Sequence, residues 1–222
     1  MLDFSRQMLS LIQDIAKKVP VFSHIDTEKI LISCADAKKS GTSGVWAQLY
    51  PMKYENGHYS IREKSGQRIY LYKTDQIHIG KQEIYYIVYF MMPRFQNLST
   101  FEKLETIFHE LYHISPEFDG RLRVVHPRFN FHGPSMRLYD QKIRYWVRYY
   151  LNSNPDSRRN GFLKYDFRAL SQHHEGVDLV YIPEPQETLK IINPPMRGGS
   201  QKRRKAQRSR VKRRGRKGNG RA

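Results

Sequence analysis

His109-Glu110-Leu111-Tyr112-His113 sets two imidazoles four residues apart, with a carboxylate directly after the first. On a helix, residues at that separation share a face, so both rings can reach one Zn²⁺ while Glu110 stands one step round. The chemistry divides accordingly. Neutral imidazole nitrogens hold the metal, the metal brings the pKa of a water towards about 7, and the carboxylate takes the proton. Random placement of the chain's nine His and eleven Glu would produce roughly 0.02 such matches, so composition does not explain the pattern.

A catalytic zinc takes a third protein ligand and keeps a fourth position open. Three downstream residues qualify: Asp119, His126 and His132. Asp119 lies six residues after His113, a spacing that uses a tight glycine turn, but Pro116 occupies the turn. His126 is far enough along for the chain to loop back. His132 begins His132-Gly133-Pro134-Ser135-Met136 at the entrance to a further helix, from which its ring can be aimed at the first. Glu117 and Asp119 are also placed to orient a ligand ring through a hydrogen bond. Tyr139 suits either an oxyanion donor or core packing, and His173-His174 reads as surface.

The elements that must position these side chains follow from periodicity. Ser99-Thr100-Phe101-Glu102 has capping-box spacing, in which each side chain satisfies the other's free backbone donor. A helix over 100–113 follows, packing through Leu104, Ile107, Phe108 and Leu111 and stopped by Pro116. A second is expected from about Pro134 to Leu151, since Pro suits a first turn and Met136, Tyr139, Ile143, Trp146, Val147 and Tyr150 recur on one side. Residues 3–18 carry Phe4, Met8, Leu11, Ile12 and Ile15 at helical spacing before Pro20. Between these helices, runs rich in Ile, Val and Tyr predict strands near 29–35, 45–54, 68–73 and 83–91 in one mostly antiparallel sheet, with the Tyr-rich run 85–89 as strand core. Turn signals fall at Ser40-Gly41, Asn56-Gly57, Ser65-Gly66 and Gly80, with Asn56-Gly57 the strongest hairpin turn. Residues 152–195 are polar and proline-bearing, and read as an extended wrap with a strand at 178–182.

The 222 residues hold 39 Lys+Arg against 21 Asp+Glu, a net charge of +18, but the excess is local. Residues 196–222 carry 13 bases and no acid, which leaves residues 1–195 at only +5. The tail has too little apolar surface to offset ordering entropy and is expected to be disordered alone. Its cations, over residues 197–221, suit a phosphate backbone through counterion release, so nucleic acid is the expected partner there. Cys34 is the single cysteine, which excludes an internal disulfide framework and a Cys-based zinc ribbon. The longest apolar run, Ile84–Met92, is too short for a membrane helix, and no secretory signal is expected. An intracellular, cytoplasmic or nucleic-acid-associated location follows as the expectation, with no membrane contact.

His109-Glu110-Leu111-Tyr112-His113 followed by Phe131-His132-Gly133-Pro134-Ser135-Met136 resembles the SprT-like zincin metallopeptidases. With Phe22-Ser23-His24-Ile25-Asp26, the segment Ala47–Tyr54 and His113-Ile114-Ser115-Pro116-Glu117-Phe118-Asp119-Gly120, the similarity is closer to a phage-type metallopeptidase domain, over roughly residues 20–150. The resemblance implies an α+β, zincin-like fold: an N-terminal helix, a small sheet and two active-site helices. It implies His109, His113 and His132 as Zn²⁺ ligands, Glu110 as general base, and a protein or peptide as substrate. Many SprT-like proteins carry a zinc ribbon after the catalytic domain, which one Cys cannot build. The expected organisation is therefore a metallopeptidase domain over 1–195 and a basic tail over 196–222. The rival reading is a nucleic-acid-binding protein with a structural or vestigial zinc site.

Overall fold

A computed structural model of the chain describes residues 1–37, 43–125 and 132–192. The Ser40-Gly41 turn, the candidate ligand His126 and the tail 196–222 lie outside the described residues. After a short strand β1 (Leu2–Asp3), Asp3 caps helix α1 (Phe4–Lys18) by accepting from the Arg6 N–H at 2.8 Å. The predicted apolar face of α1 is buried to the last residue, and Val19 and Pro20 end the helix.

Strand β2 (Ile30–Asp36) then pairs in parallel with β8 (Tyr86–Met92), which pairs antiparallel with β3 (Ala47–Pro51). Six of the seven residues of β8 are buried, as a continuous apolar run in the centre of a sheet should be. The expected single, mostly antiparallel sheet is thus corrected. This sheet is mixed, and a second, antiparallel one forms from β4 (Ser60–Ser65), β5 (Arg68–Thr74) and β10 (Glu187–Ile191), in the order β10-β5-β4. Apolar alternation marks a strand without naming its neighbour, so the division was not readable from it. Strand β4, Ser-Ile-Arg-Glu-Lys-Ser, lacks alternation and had not been expected at all. The tight hairpin is the β4–β5 turn at Gly66, φ +60°, whereas Asn56-Gly57 turns the chain from one sheet to the other. A two-residue ribbon, β6 (His78–Ile79) with β7 (Gln82–Glu83), leads into β8.

Helix α2 (Thr100–Tyr112) starts on the predicted capping box, with both Ser99–Glu102 bonds formed. Helix α3 (Met136–Asn152) begins later than expected, because Ser135 and not Pro134 occupies the cap, its hydroxyl accepting from the Leu138 N–H. The two helices pack through Tyr112 on Tyr139, ring centroids 5.6 Å apart, and Phe108 on Tyr150 at 5.9 Å, with an Arg144–Glu105 ion pair at the rim. Asp14 of α1 ties the bundle together, accepting from the Tyr150 hydroxyl at 2.8 Å and from Lys18. Although burial pushes its carboxyl up, those bonds and the Asp156 N–H hold it below the usual carboxylate range.

Residues 152–195 are not only an extended wrap. Asp156 and Asp166 cap two short helices, α4 (Ser157–Asn160) and α5 (Phe167–His173), and Phe162 and Leu163 between them and Leu170 within α5 enter the core. The predicted strand at 178–182 is reduced to β9 (Val177–Asp178), parallel to β1; beyond it the chain runs beside β2, where the Cys34 N–H donates to Val180 O at 2.7 Å. Among the described residues no helix is long and apolar enough to cross a membrane.

Candidate metal centre and active site

The motif sits on the last turn of α2, with His109 and Glu110 inside the helix and His113 as its C-cap. Past it the chain doubles back at once. Ile114 bridges Leu122 in antiparallel fashion, and the loop between is clamped by the Tyr86 hydroxyl, which donates to Arg121 O at 2.8 Å and accepts from the Gly120 N–H at 3.1 Å. Gly120 takes φ +90°, and a Cβ there would stand 3.1 Å from the Lys53 side chain. His132 stands against α2, and Gly133, at φ +71°, turns the chain into the Ser135 cap of α3.

Three imidazoles meet as a result. His113 Nε2 lies 3.0 Å and His132 Nε2 3.3 Å from His109 Nε2, and ring centroids of the three pairs are 4.7, 5.1 and 4.9 Å apart. Ligand atoms of all three fall within 4.8 Å of one another, and this is the metal-competent cluster among the described residues. Nitrogens at tetrahedral zinc positions would lie about 3.4 Å apart for bonds of about 2.1 Å, so the observed spacing fits that ion with small adjustment. Protonation favours the same conclusion. Burial first, and then neighbouring imidazoles, pull His109 down to about 4 against a weaker opposing pull from Asp140, and His113 down to about 3, so both rings are in the neutral form that ligates. Tyr139 packs edge-on or stacked against all three rings, with its hydroxyl 3.5 Å from His109 O.

Glu110 is buried, and the Leu49 N–H of β3 donates to its Oε2 at 2.7 Å. Burial raises its carboxyl to about 7 against the lowering effect of that bond. A cavity of about 430 Å³ lies to one side, lined by Trp46, Thr106, His109, Asp140, Ile143 and Arg144 among others. A second of about 310 Å³, bordered by Leu49, His113, Leu122 and His132, lies to the other; Val45, Ala47 and Glu110 line both. The carboxylate thus stands at the junction of two cavities beside a cluster that could hold a metal ion.

Of the other candidates, Asp119 is engaged by Arg121 at 2.6 Å and by the Arg121 N–H, and Glu117 accepts from the Ser115 hydroxyl at 2.6 Å. Neither carboxylate joins the cluster. His173 is exposed and stacks on Tyr165, as a surface histidine would. The Leu49 N–H was not foreseen, because a backbone donor on a distant strand leaves no mark in residue identity. Tyr139 was foreseen on helical spacing alone, and its core role proves to include packing the imidazoles.

A family model described as "Putative phage metallopeptidase" matches residues 5–159, about seven-tenths of the 222-residue chain. No curated protein and no solved structure matches it.

Proposed function

The chain belongs to the phage metallopeptidase family, and from that membership and the three-histidine cluster we propose that it is a zinc-dependent peptidase in which Glu110 is the general base. His109, His113 and His132 would hold the ion. When bound, it would supply Lewis-acid polarisation of the scissile carbonyl and a water of lowered pKa. The chain's own residues do the rest. Leu49 fixes one oxygen of Glu110, which leaves the other to take a proton from the attacking water and deliver it to the departing amine. A carboxyl raised to about 7 is matched to both halves of that transfer. The cavities on either side of Glu110 give room for peptide on both sides of the cleaved bond. Residues 1–195 are read as the catalytic domain, zincin-like in plan, and 196–222 as a basic arm that keeps it near nucleic acid.

Convergence of three imidazole nitrogens on one point, with Glu110 beside it, carries this reading. A structural zinc closes its tetrahedron with four protein ligands. Among the described residues only three donors meet here, and cavities reach them, which favours turnover over a structural or vestigial site. The deciding experiment is Glu110→Gln. The amide oxygen keeps the Leu49 bond, so the variant should fold and bind one zinc while cleavage of a quenched peptide library falls by about 10²–10⁴. Wild-type protein that binds zinc yet cleaves nothing, or a variant that cleaves as well as wild type, would defeat the proposal.

A further inference from the structure

The β10-β5-β4 sheet sorts its charges by face. Register places Lys190 and Arg62 directly either side of Leu71, with Thr188, Lys73 and Ser60 in the next row and Ile69 and Lys64 paired in the row before. Opposed residues in an antiparallel pair project to the same face. One face therefore carries Arg62, Lys64, Lys73 and Lys190 around Leu71 and holds no acid. All four bases are exposed, and no ion pair involves them among the described residues. The sheet's two acids, Glu63 and Glu187, project from the opposite face together with Arg68, Tyr70 and Tyr72. At its Thr74–Glu187 end that opposite face meets the body of the protein, since Glu187 accepts from the Tyr54 hydroxyl and the Thr74 hydroxyl is buried, while Leu189 and Ile191 further along it are exposed. The cationic face, with its four bases exposed, is open to solvent.

We propose that this outward face is a docking surface for the phosphate backbone of a nucleic acid duplex. Cations two residues apart on a strand stand about 6.8 Å apart, and those on outer strands about 9.6 Å apart across the sheet, a strip that a rod-like polyanion can follow. No aromatic side chain lies on the face, so bases have nothing to stack on, and contact is with phosphates and independent of sequence. The same absence of aromatic wedges, with Leu71 and Ile69 only half-exposed below the longer cations and Ile192 the exposed apolar residue at the edge beside Ile69, disfavours a lipid surface. Strand β10 ends at Ile191, and the 13 bases of residues 196–222 follow within a few residues along the chain, so the arm is tethered at the edge of this surface. The surface is separate from the histidine cluster and stands whether or not the peptidase reading holds.

Lysine footprinting of the full-length protein tests it. With a saturating mixed-sequence DNA duplex, Lys64, Lys73 and Lys190 should lose most of their reactivity toward limiting acetylating reagent, while exposed Lys17 of α1 keeps its own. The combined variant Arg62→Gln, Lys64→Gln, Lys73→Gln and Lys190→Gln should flatten the log–log salt dependence of duplex affinity by up to about 3.6, at about 0.9 per engaged cation. Arg68→Gln, on the opposite face, should leave that slope in place. Unchanged reactivity of the three lysines would overturn the proposal, as would an unaltered slope in the combined variant. Protection by phosphatidylserine vesicles without protection by duplex would move the surface to a membrane, and equal flattening per charge by Arg68→Gln would reduce the effect to net charge. The footprint needs no substitution, so a variant that fails to fold does not blur the outcome.

Discussion

Lys103 offers a test of how α2 is anchored. It lies six residues before His109 on the same helix, is 1% exposed, and donates to Leu163 O at 2.9 Å and Tyr165 O at 2.6 Å. Burial, only partly opposed by Asp166, pulls its ammonium from 10.5 down to about 8. The sign follows from proton counting. Between about pH 8 and 10.5 the unfolded chain holds a proton at this site that the folded chain has released, so stability rises with pH across that window. From about pH 7.5 to about pH 9.5 the rise is of order 2 kcal/mol, out of about 3 for the whole shift at 1.36 per unit. Above pH 10 the buried tyrosines, whose pKa values burial raises, act in the opposite sense and close the window. The perturbation is Lys103→Met, which keeps the stem's packing and removes the titrating group. Urea unfolding of both proteins at the two pH values should show the wild type gaining about 2 kcal/mol more than the variant. Equal gains in both would refute the claim that a buried lysine with a depressed pKa fastens the motif helix.

Single replacement of His109, His113 or His132 by Ala should weaken zinc binding by at least about 100-fold, the upper figure for losing a mere orienting partner, whereas Asp119→Asn should hold within a few-fold because Arg121 already engages that carboxylate. Retention of zinc by His132→Ala, measured by isothermal titration, would reopen the assignment to His126. Gly133→Ala must adopt φ +71° with its Cβ 3.3 Å from the Val125 side chain, so it should cost about 1–2 kcal/mol and loosen zinc with it; an unchanged denaturation midpoint would count against the turn geometry. Removal of residues 196–222, whose apolar residues are Met196, Ala206, Val211 and Ala222, should leave the urea midpoint in place while the salt dependence of duplex binding becomes shallower. A lower midpoint would show the tail packing on the fold.

Helix α2 was legible because its cap, apolar register and stop are all local, and the motif inherited that clarity. His132 was legible for the same kind of reason, since a glycine turn and a serine cap fix the entrance of α3 within four residues. The sheets were less so. Strand presence follows from Ile, Val and Tyr, but pairing is decided by long-range burial, which is why β8 is the shared centre of a mixed sheet, and β4, whose one apolar residue is Ile61, carries no strand signal. The helices after Asn152 are four and seven residues long, too short to show a period in the sequence. The caps Asp156 and Asp166 were the available signal, followed in each case by a residue that reaches the core.

The segment after Asn152 bears on the site. The family match ends at residue 159, yet Leu163 O accepts from Thr100 Oγ1 at 3.2 Å as well as from Lys103, and Gln96 Nε2 donates to Phe162 O and Tyr165 O. Gln96 before α2 and Thr100 and Lys103 in its first turns therefore all bind one short stretch that lies past the family match. At the other end, Leu49 fixes Glu110 and Tyr139 packs the imidazoles. With the helix pinned at both ends, His109 and His113 are held in a geometry that small perturbations elsewhere should not move. His132 is different, since it comes from a turn whose backbone depends on one glycine. The third donor, not the helix pair, is then the adjustable element of the cluster, and metal affinity should respond more to changes at residues 132–135 than to comparable changes along α2.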